Sequence, residues 1–165
     1  MLRTLNELRR MIELFELIKE KKDILENILE VFSRLGFGVF WLSDNISVLS
    51  TLKILNYDVK VFNKLAALGW IVGLVFGVCK NMVETYKLHI ENRQNKVKFF
   101  KIKLINKLLE IIGRLGDMIT ASNNLDLTKS LVGKNLNEGW VGIGGLASSI
   151  IAIYLIYVKN YVEFE

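Results

Sequence analysis

Residues 65–80 read LAALGWIVGLVFGVCK, fifteen uncharged residues closed by Lys80, with glycine at positions 69, 73 and 77. Glycine costs about 1 kcal/mol relative to alanine inside a water-exposed helix. Three of them at a spacing of four fall on one slowly drifting helix face, where they let another helix backbone come close, as small residues do in lipid. The stretch from Leu65 to Cys79 would measure roughly 22 Å as a helix, against a hydrocarbon thickness of roughly 30 Å. It crosses a bilayer only if Lys64 and Lys80 snorkel or the membrane thins locally. The alternative is a buried helix in a soluble bundle.

The rest of the chain agrees with a helical membrane protein. Its 165 residues suit one domain, 52% are hydrophobic, and the mean hydropathy of +0.33 is high for a soluble one. There is no proline, as an all-helical chain favours, because proline breaks the backbone hydrogen-bond ladder. The single cysteine, Cys79, excludes an intramolecular disulfide and a cysteine-based metal site.

The clearest apolar segment is Gly139–Val158, GWVGIGGLASSIIAIYLIYV, twenty uncharged residues. At about 30 Å it is long enough to span. Trp140 opens it, and Tyr154, Tyr157, Lys159 and Tyr161 close it in the manner of interface anchors. Gly144, Ser148 and Ala152 form a second small-residue ridge at spacing four, with Gly145 and Ser149 beside it. The expectation is that this ridge packs against Gly69, Gly73 and Gly77, or that each ridge meets another subunit.

Three further segments carry charge. Residues 1–23 repeat apolar positions at spacings of three and four, from Leu2 to Ile18, with Arg3, Arg9 and Arg10 on the other side. That pattern fits either a bundle helix or one lying in a membrane surface with its arginines near the headgroups. Residues 24–56 form an apolar stretch interrupted by Asp44. An aspartate costs roughly 3 kcal/mol at the centre of a spanning helix, so this segment reads as a bundle or interfacial helix. Asp44 is read either as a local cap or as the partner of a cation on another helix. Residues 60–92 and 95–122 give the remaining helices, the second amphipathic and basic.

The net charge of +5 is concentrated between Lys80 and Lys107, where eight basic residues face only Glu84 and Glu91. Lys96, Lys98, Lys101 and Lys103 are candidates for contact with anionic lipid headgroups or an acidic partner. No zinc-finger spacing, RNA-binding aromatic motif or DNA-reading helix pair accompanies the charge, so nucleic acid is not expected as a partner. An enzyme is not expected either. His89 is the only histidine and lies in a polar stretch, no nucleophile has a recognisable base, and GKNLNEG around Gly133 lacks the spacing of a phosphate loop. No cofactor is implied.

Four stretches, in order, resemble the peroxisomal biogenesis factor 11 family: LNELRRMIELFELIK, GVFWLSDNISVLSTLKIL with Asp44, NKLAALGWIVGLVFGVCKNMVETYKL with Trp70, and LLEIIGRLGDMITASNNLDL with Asp117, followed by the glycine-rich GWVGIGGLASSIIAIYLIY. The resemblance implies a non-enzymatic protein of the peroxisomal membrane that self-associates, elongates and curves the organelle, and recruits division factors. It implies an amphipathic helix in the cytosolic leaflet. Family members carry several tens of residues before that helix, whereas this chain begins almost at it and is less basic there, which lowers the expectation for remodelling. A structural subunit of a larger membrane complex, in the mitochondrial inner membrane, is the alternative. The fold expected is all-α: a membrane-associated bundle of about five helices in a single domain (1–23, 24–56, 60–92, 95–122, 138–160), with 138–160 spanning outright and the helix containing 65–79 spanning conditionally.

Overall fold

The structure, a computed structural model, describes residues 23–161 and contains no strand among them. It has five helices there: α1 (Ile24–Thr51), α2 (Val59–Asn95), α3 (Phe100–Asn124), the short α4 (Leu127–Val132) and α5 (Glu138–Tyr161). The amphipathic helix expected over residues 1–23, with Arg3, Arg9 and Arg10, falls outside the described residues apart from Asp23. The short α4 was not expected from the sequence.

Helix boundaries follow local chemistry. α1 stops at Thr51, short of the expected residue 56, because Lys53 adopts a left-handed φ of 57°. The N–H groups of Ile54 and Leu55 both return to Leu49 O, at 3.0 and 3.3 Å. α2 opens on Asp58, whose Oδ1 accepts the Lys60 N–H at 2.9 Å, one of the first-turn donors that a helix leaves unsatisfied. α5 opens similarly, with Asn137 Oδ1 accepting the Gly139 N–H at 2.9 Å. α2 ends where Lys96 turns left-handed, at φ 45°.

α2 runs 37 residues, or about 55 Å. The apolar Leu65–Cys79 stretch is therefore only its first part, and a polar second half continues beyond it. Among the described residues, α2 and α5 are the two helices long and apolar enough to cross a membrane.

The helices form a row. α1 packs on α2, α2 on α3 and α3 on α5; among the described helices α5 contacts only α3. α3 and α5 run antiparallel: Gly116 meets Gly144 and Ser148, and Thr120 Oγ1 approaches Val141 O at 3.5 Å.

Residue sizes are sorted inside out. Buried on α1 are Val31, Ser33, Gly36, Ser43, Ser47 and Ser50; buried on α2 are Ala66, Ala67, Gly69, Gly73, Leu74, Gly77 and Asn81. Facing outward are Leu25, Ile28, Phe32, Leu35, Val39, Leu42 and Leu49 of α1, and on α5 Ile143, Leu146, Ile150 and Ile153, the last 69% exposed. A protein folding in water would bury these side chains, at about 25 cal/mol for each Å² removed from solvent. With lipid as solvent that gain vanishes, and small residues that admit close backbone packing occupy the contacts instead.

Candidate functional site

The glycine contacts are the tightest points of the fold. A Cβ placed on Gly36 of α1 would lie 2.7 Å from Gly73 Cα and 2.8 Å from Gly69 O; one placed on Gly69 would lie 2.8 Å from Phe40 N. These are backbone-to-backbone approaches that no larger residue permits without separating the helices. Ser33 fastens the same crossing by donating its hydroxyl to Gly73 O at 2.8 Å. Phe40 and Trp70 stack beside it, with ring centroids 5.2 Å apart.

The two glycine ridges expected to meet each other do not. Gly69 and Gly73 pack against α1, Gly77 lies under the Arg114 guanidinium and Ser33, and Gly144 packs on Gly116. The reason is topological: α3 stands between α2 and α5, and the ridges of α2 and α5 take as partner the long helix that precedes each in the chain, α1 and α3. Ser148 is buried in the α3–α5 contact, Gly145 faces Thr120, and Ser149 and Ala152 are exposed. The Ser148 and Ser149 hydroxyls both donate to Gly145 O, at 2.9 and 2.8 Å.

Where the apolar stretch of α2 ends, a chain of alternating charges crosses three helices. Arg34 pairs with Glu30 on α1. Lys80 Nζ of α2 lies 2.7 Å from Glu30 Oε2 and 3.3 Å from Glu84 Oε1. Lys107 Nζ of α3 lies 2.7 Å from Glu84 Oε2 and 3.4 Å from Glu110 Oε2. Farther out, Lys87 joins Asp23 and Glu26 at 2.6 and 2.7 Å. Three of the eight basic residues between positions 80 and 107 are thus spent on internal pairs, a division the linear charge count does not reveal.

Burial pushes the Glu30 carboxyl up, but Lys80 and then Arg34 outweigh it and hold the group below its ordinary value. A carboxyl with a lowered pKa in the fold contributes stability that is fully present above the unfolded value. That contribution is lost as pH falls from about 4.3 through the folded pKa. The thermal unfolding midpoint of detergent-solubilised protein should therefore drop on acidification below about pH 4, and Glu30→Gln should flatten that part of the profile. An equally steep profile in the variant would refute the assignment.

Lys96, Lys98, Lys101 and Lys103 are exposed at the corner between α2 and α3, and the Lys98 ammonium sits 4.9 Å above the Phe99 ring. Asp44 is half-buried in the interior of α1. It therefore caps no helix end, which corrects one of its two readings; no cation among the described residues forms an ion pair with it. Asp117 lines a groove between α2 and α5, floored by α3.

That groove has a wide part of about 670 Å³ and a narrower part of about 220 Å³, and Glu110 and Leu155 line both. Asn106 borders the wide part, and its Oδ1 is buried with no partner among the described residues. Glu110 and Arg114 of the groove, with Gly36 and Gly116, escaped the sequence reading, whereas Lys103 and Asp117 are among its candidates. The available signal was the tripeptide Arg-Leu-Gly, present at both 34–36 and 114–116, in helices whose amphipathic pattern masked a packing glycine.

A family model described as peroxisomal biogenesis factor 11 (PEX11) matches residues 1–157. No curated protein and no solved structure matches the chain.

Proposed function

The chain belongs to the peroxisomal biogenesis factor 11 family, and from that premise we propose that it is a non-enzymatic membrane protein that self-associates and shapes, elongates or helps divide peroxisomes. A role in peroxisome biogenesis and association with the peroxisomal membrane follow from the family itself. The observation that carries the membrane reading is the inside-out sorting of side chains around two helices long enough to cross a bilayer.

In this reading the glycine contacts hold each helix pair together, and the exposed apolar faces of α1 and α5 meet lipid or a second copy. Lys96, Lys98, Lys101 and Lys103, with Arg3, Arg9 and Arg10, contact anionic headgroups, each adding about 1 kcal/mol near a charged surface. Division factors are expected as partners by family resemblance. The mitochondrial scaffold alternative draws no support from the family match.

The deciding experiment follows the tagged endogenous protein through density-gradient fractionation and alkaline extraction, then changes its dose. Co-migration with peroxisomal markers, resistance to alkali and elongated or more numerous peroxisomes on overproduction are expected. Unchanged peroxisome number and shape on both overproduction and deletion would reject the shaping role.

A further inference from the structure

On α3, Lys103, Asn106, Lys107 and Glu110 recur at spacings of three, one and three. That spacing places them in one polar stripe along the helix, and all four line the wide part of the groove, a cavity of about 670 Å³. The opposite face of α3 is apolar and exposed through Ile102, Ile105, Leu108 and Ile112.

The helix pairings fix the depth of this cavity. α3 returns antiparallel along α2, with the His89 and Phe100 ring centroids 6.3 Å apart and Lys107 paired to Glu84. α5 runs antiparallel to α3, with Gly116 against Gly144 and Gly113 against Ile151. The α2 residues on the cavity, Glu84, Lys87, Leu88 and Glu91, lie past Cys79, where the uncharged stretch of that helix ends. The α5 residues on it, Leu155, Ile156 and Val158, form the last turn of the uncharged 139–158 segment. Two helices thus mark the same level independently: the edge of the hydrocarbon, with a polar wall from α2 and α3 and an aliphatic wall from α5.

The groups left unsatisfied select the occupant. Lys107 bonds Glu84 and Glu110, and Lys87 bonds Glu26, so these charges need nothing further. Lys103 and Glu91 form no ion pair among the described residues, and Asn106 Oδ1 is buried there without a donor. A buried acceptor is normally satisfied, so this one calls for a donor from outside the described residues. Lys103 and Asn106 stand one turn apart, about 5–6 Å between Cβ atoms, comparable with the separation of a phosphate and an ammonium joined by two carbons. Four carboxylates, Glu26, Glu84, Glu91 and Glu110, face three ammonium groups on the cavity wall, which disfavours a headgroup of net negative charge. A primary ammonium donates three hydrogen bonds, whereas a trimethylammonium has no N–H to offer, so the Asn106 acceptor distinguishes ethanolamine from choline.

We propose that the cavity between α2, α3 and α5 is a binding site for the headgroup of phosphatidylethanolamine. The phosphate sits on Lys103, the ammonium on Asn106 Oδ1 and Glu91, and the acyl chains leave along Leu155 and Ile156 into the leaflet on the side of the α2–α3 corner. The proposal rests on α5 crossing the membrane and is independent of the organelle and of self-association.

The test reconstitutes the full chain into phosphatidylcholine vesicles containing a trace of phosphatidylethanolamine with a photoactivatable group high on one acyl chain. A phosphatidylcholine probe with the same chains runs in parallel, and labelled peptides are mapped by mass spectrometry. The ethanolamine probe should label residues 103–110 and 155–158 about tenfold more than the choline probe, the ratio expected for a hydrogen bond to a charged group. Equal labelling by the two probes overturns the proposal. Asn106→Leu and Lys103→Glu, each with helicity by circular dichroism as the folding check, should bring ethanolamine labelling down to the choline level; labelling unchanged in both overturns the assigned contacts. Free phosphoethanolamine in the buffer should not compete, because it lacks the chains that lie on α5; full competition overturns the assignment to a lipid. Both probes should label the outward face of α5 at Ile150 and Ile153 equally. Absence of that label overturns the membrane premise, and the proposal with it, and so separates that failure from a loss of headgroup selectivity.

Discussion

Gly36→Leu is expected to push α1 off α2 and to destabilise the protein by about 3 kcal/mol, the upper range for overpacking a tight contact. The new Cβ would lie 2.7 Å from Gly73 Cα and 2.8 Å from Gly69 O. Those atoms are backbone, so no side-chain rotation relieves the clash. Leucine gains back about 1 kcal/mol of helix propensity, too little to offset it. The readout is Trp70, which stacks on Phe40 across the same crossing: its emission should shift and the thermal midpoint in detergent should fall. Gly38→Leu is the control, because nothing lies within 4 Å of a Cβ there; it should retain the parent midpoint or exceed it. Equal behaviour of the two variants would show that the α1–α2 crossing is not held by glycine.

The helices themselves were readable from the sequence because lipid-facing helices need long uncharged runs, and Leu65–Cys79 and Gly139–Val158 are such runs. Partner choice was not readable. Spacing of four shows that Gly69 and Gly73 face something close, yet nothing in the pattern distinguishes Gly36, two residues from Gly38 in an aromatic-rich helix, from Gly144 in another apolar one. The charges behaved likewise. Lys80, Lys87 and Lys107 look the same in a one-dimensional count as Lys98 or Lys101, and only the crossing of α1, α2 and α3 brings acids to the first three. α2 runs from Val59 to Asn95, within three residues of the expected 60–92 at either end, and its polar half is held to α1 and α3 by ion pairs that hydropathy does not register. The stripe on α3 was legible as amphipathic, but its orientation was not: in water the apolar face would turn inward, and in lipid it turns outward.

The α3–α5 contact gives the other large effect. α5 has no neighbour except α3 among the described helices, so losing that contact detaches it completely, whereas α2 keeps α3 when it loses α1. A Cβ on Gly116 would lie 2.7 Å from Gly144 O, again backbone, and Gly116→Leu is expected to separate the pair at a cost of about 3 kcal/mol. The separation can be read directly. A Cβ on Gly113 would lie 3.8 Å from Ile151 Cβ, within the spacing of about 3.5–4.5 Å that a disulfide requires. With Cys79→Ser removing the only native thiol, Gly113→Cys with Ile151→Cys should therefore form a cross-link on mild oxidation and migrate faster on a non-reducing gel. Adding Gly116→Leu should abolish the cross-link, while adding Gly142→Leu, whose Cβ meets nothing within 4 Å, should leave it intact. A cross-link that survives Gly116→Leu at the same rate would mean that α5 is held to α3 by its aliphatic side chains rather than by the glycine contact. The groove beside it would then tolerate the substitution without change in shape.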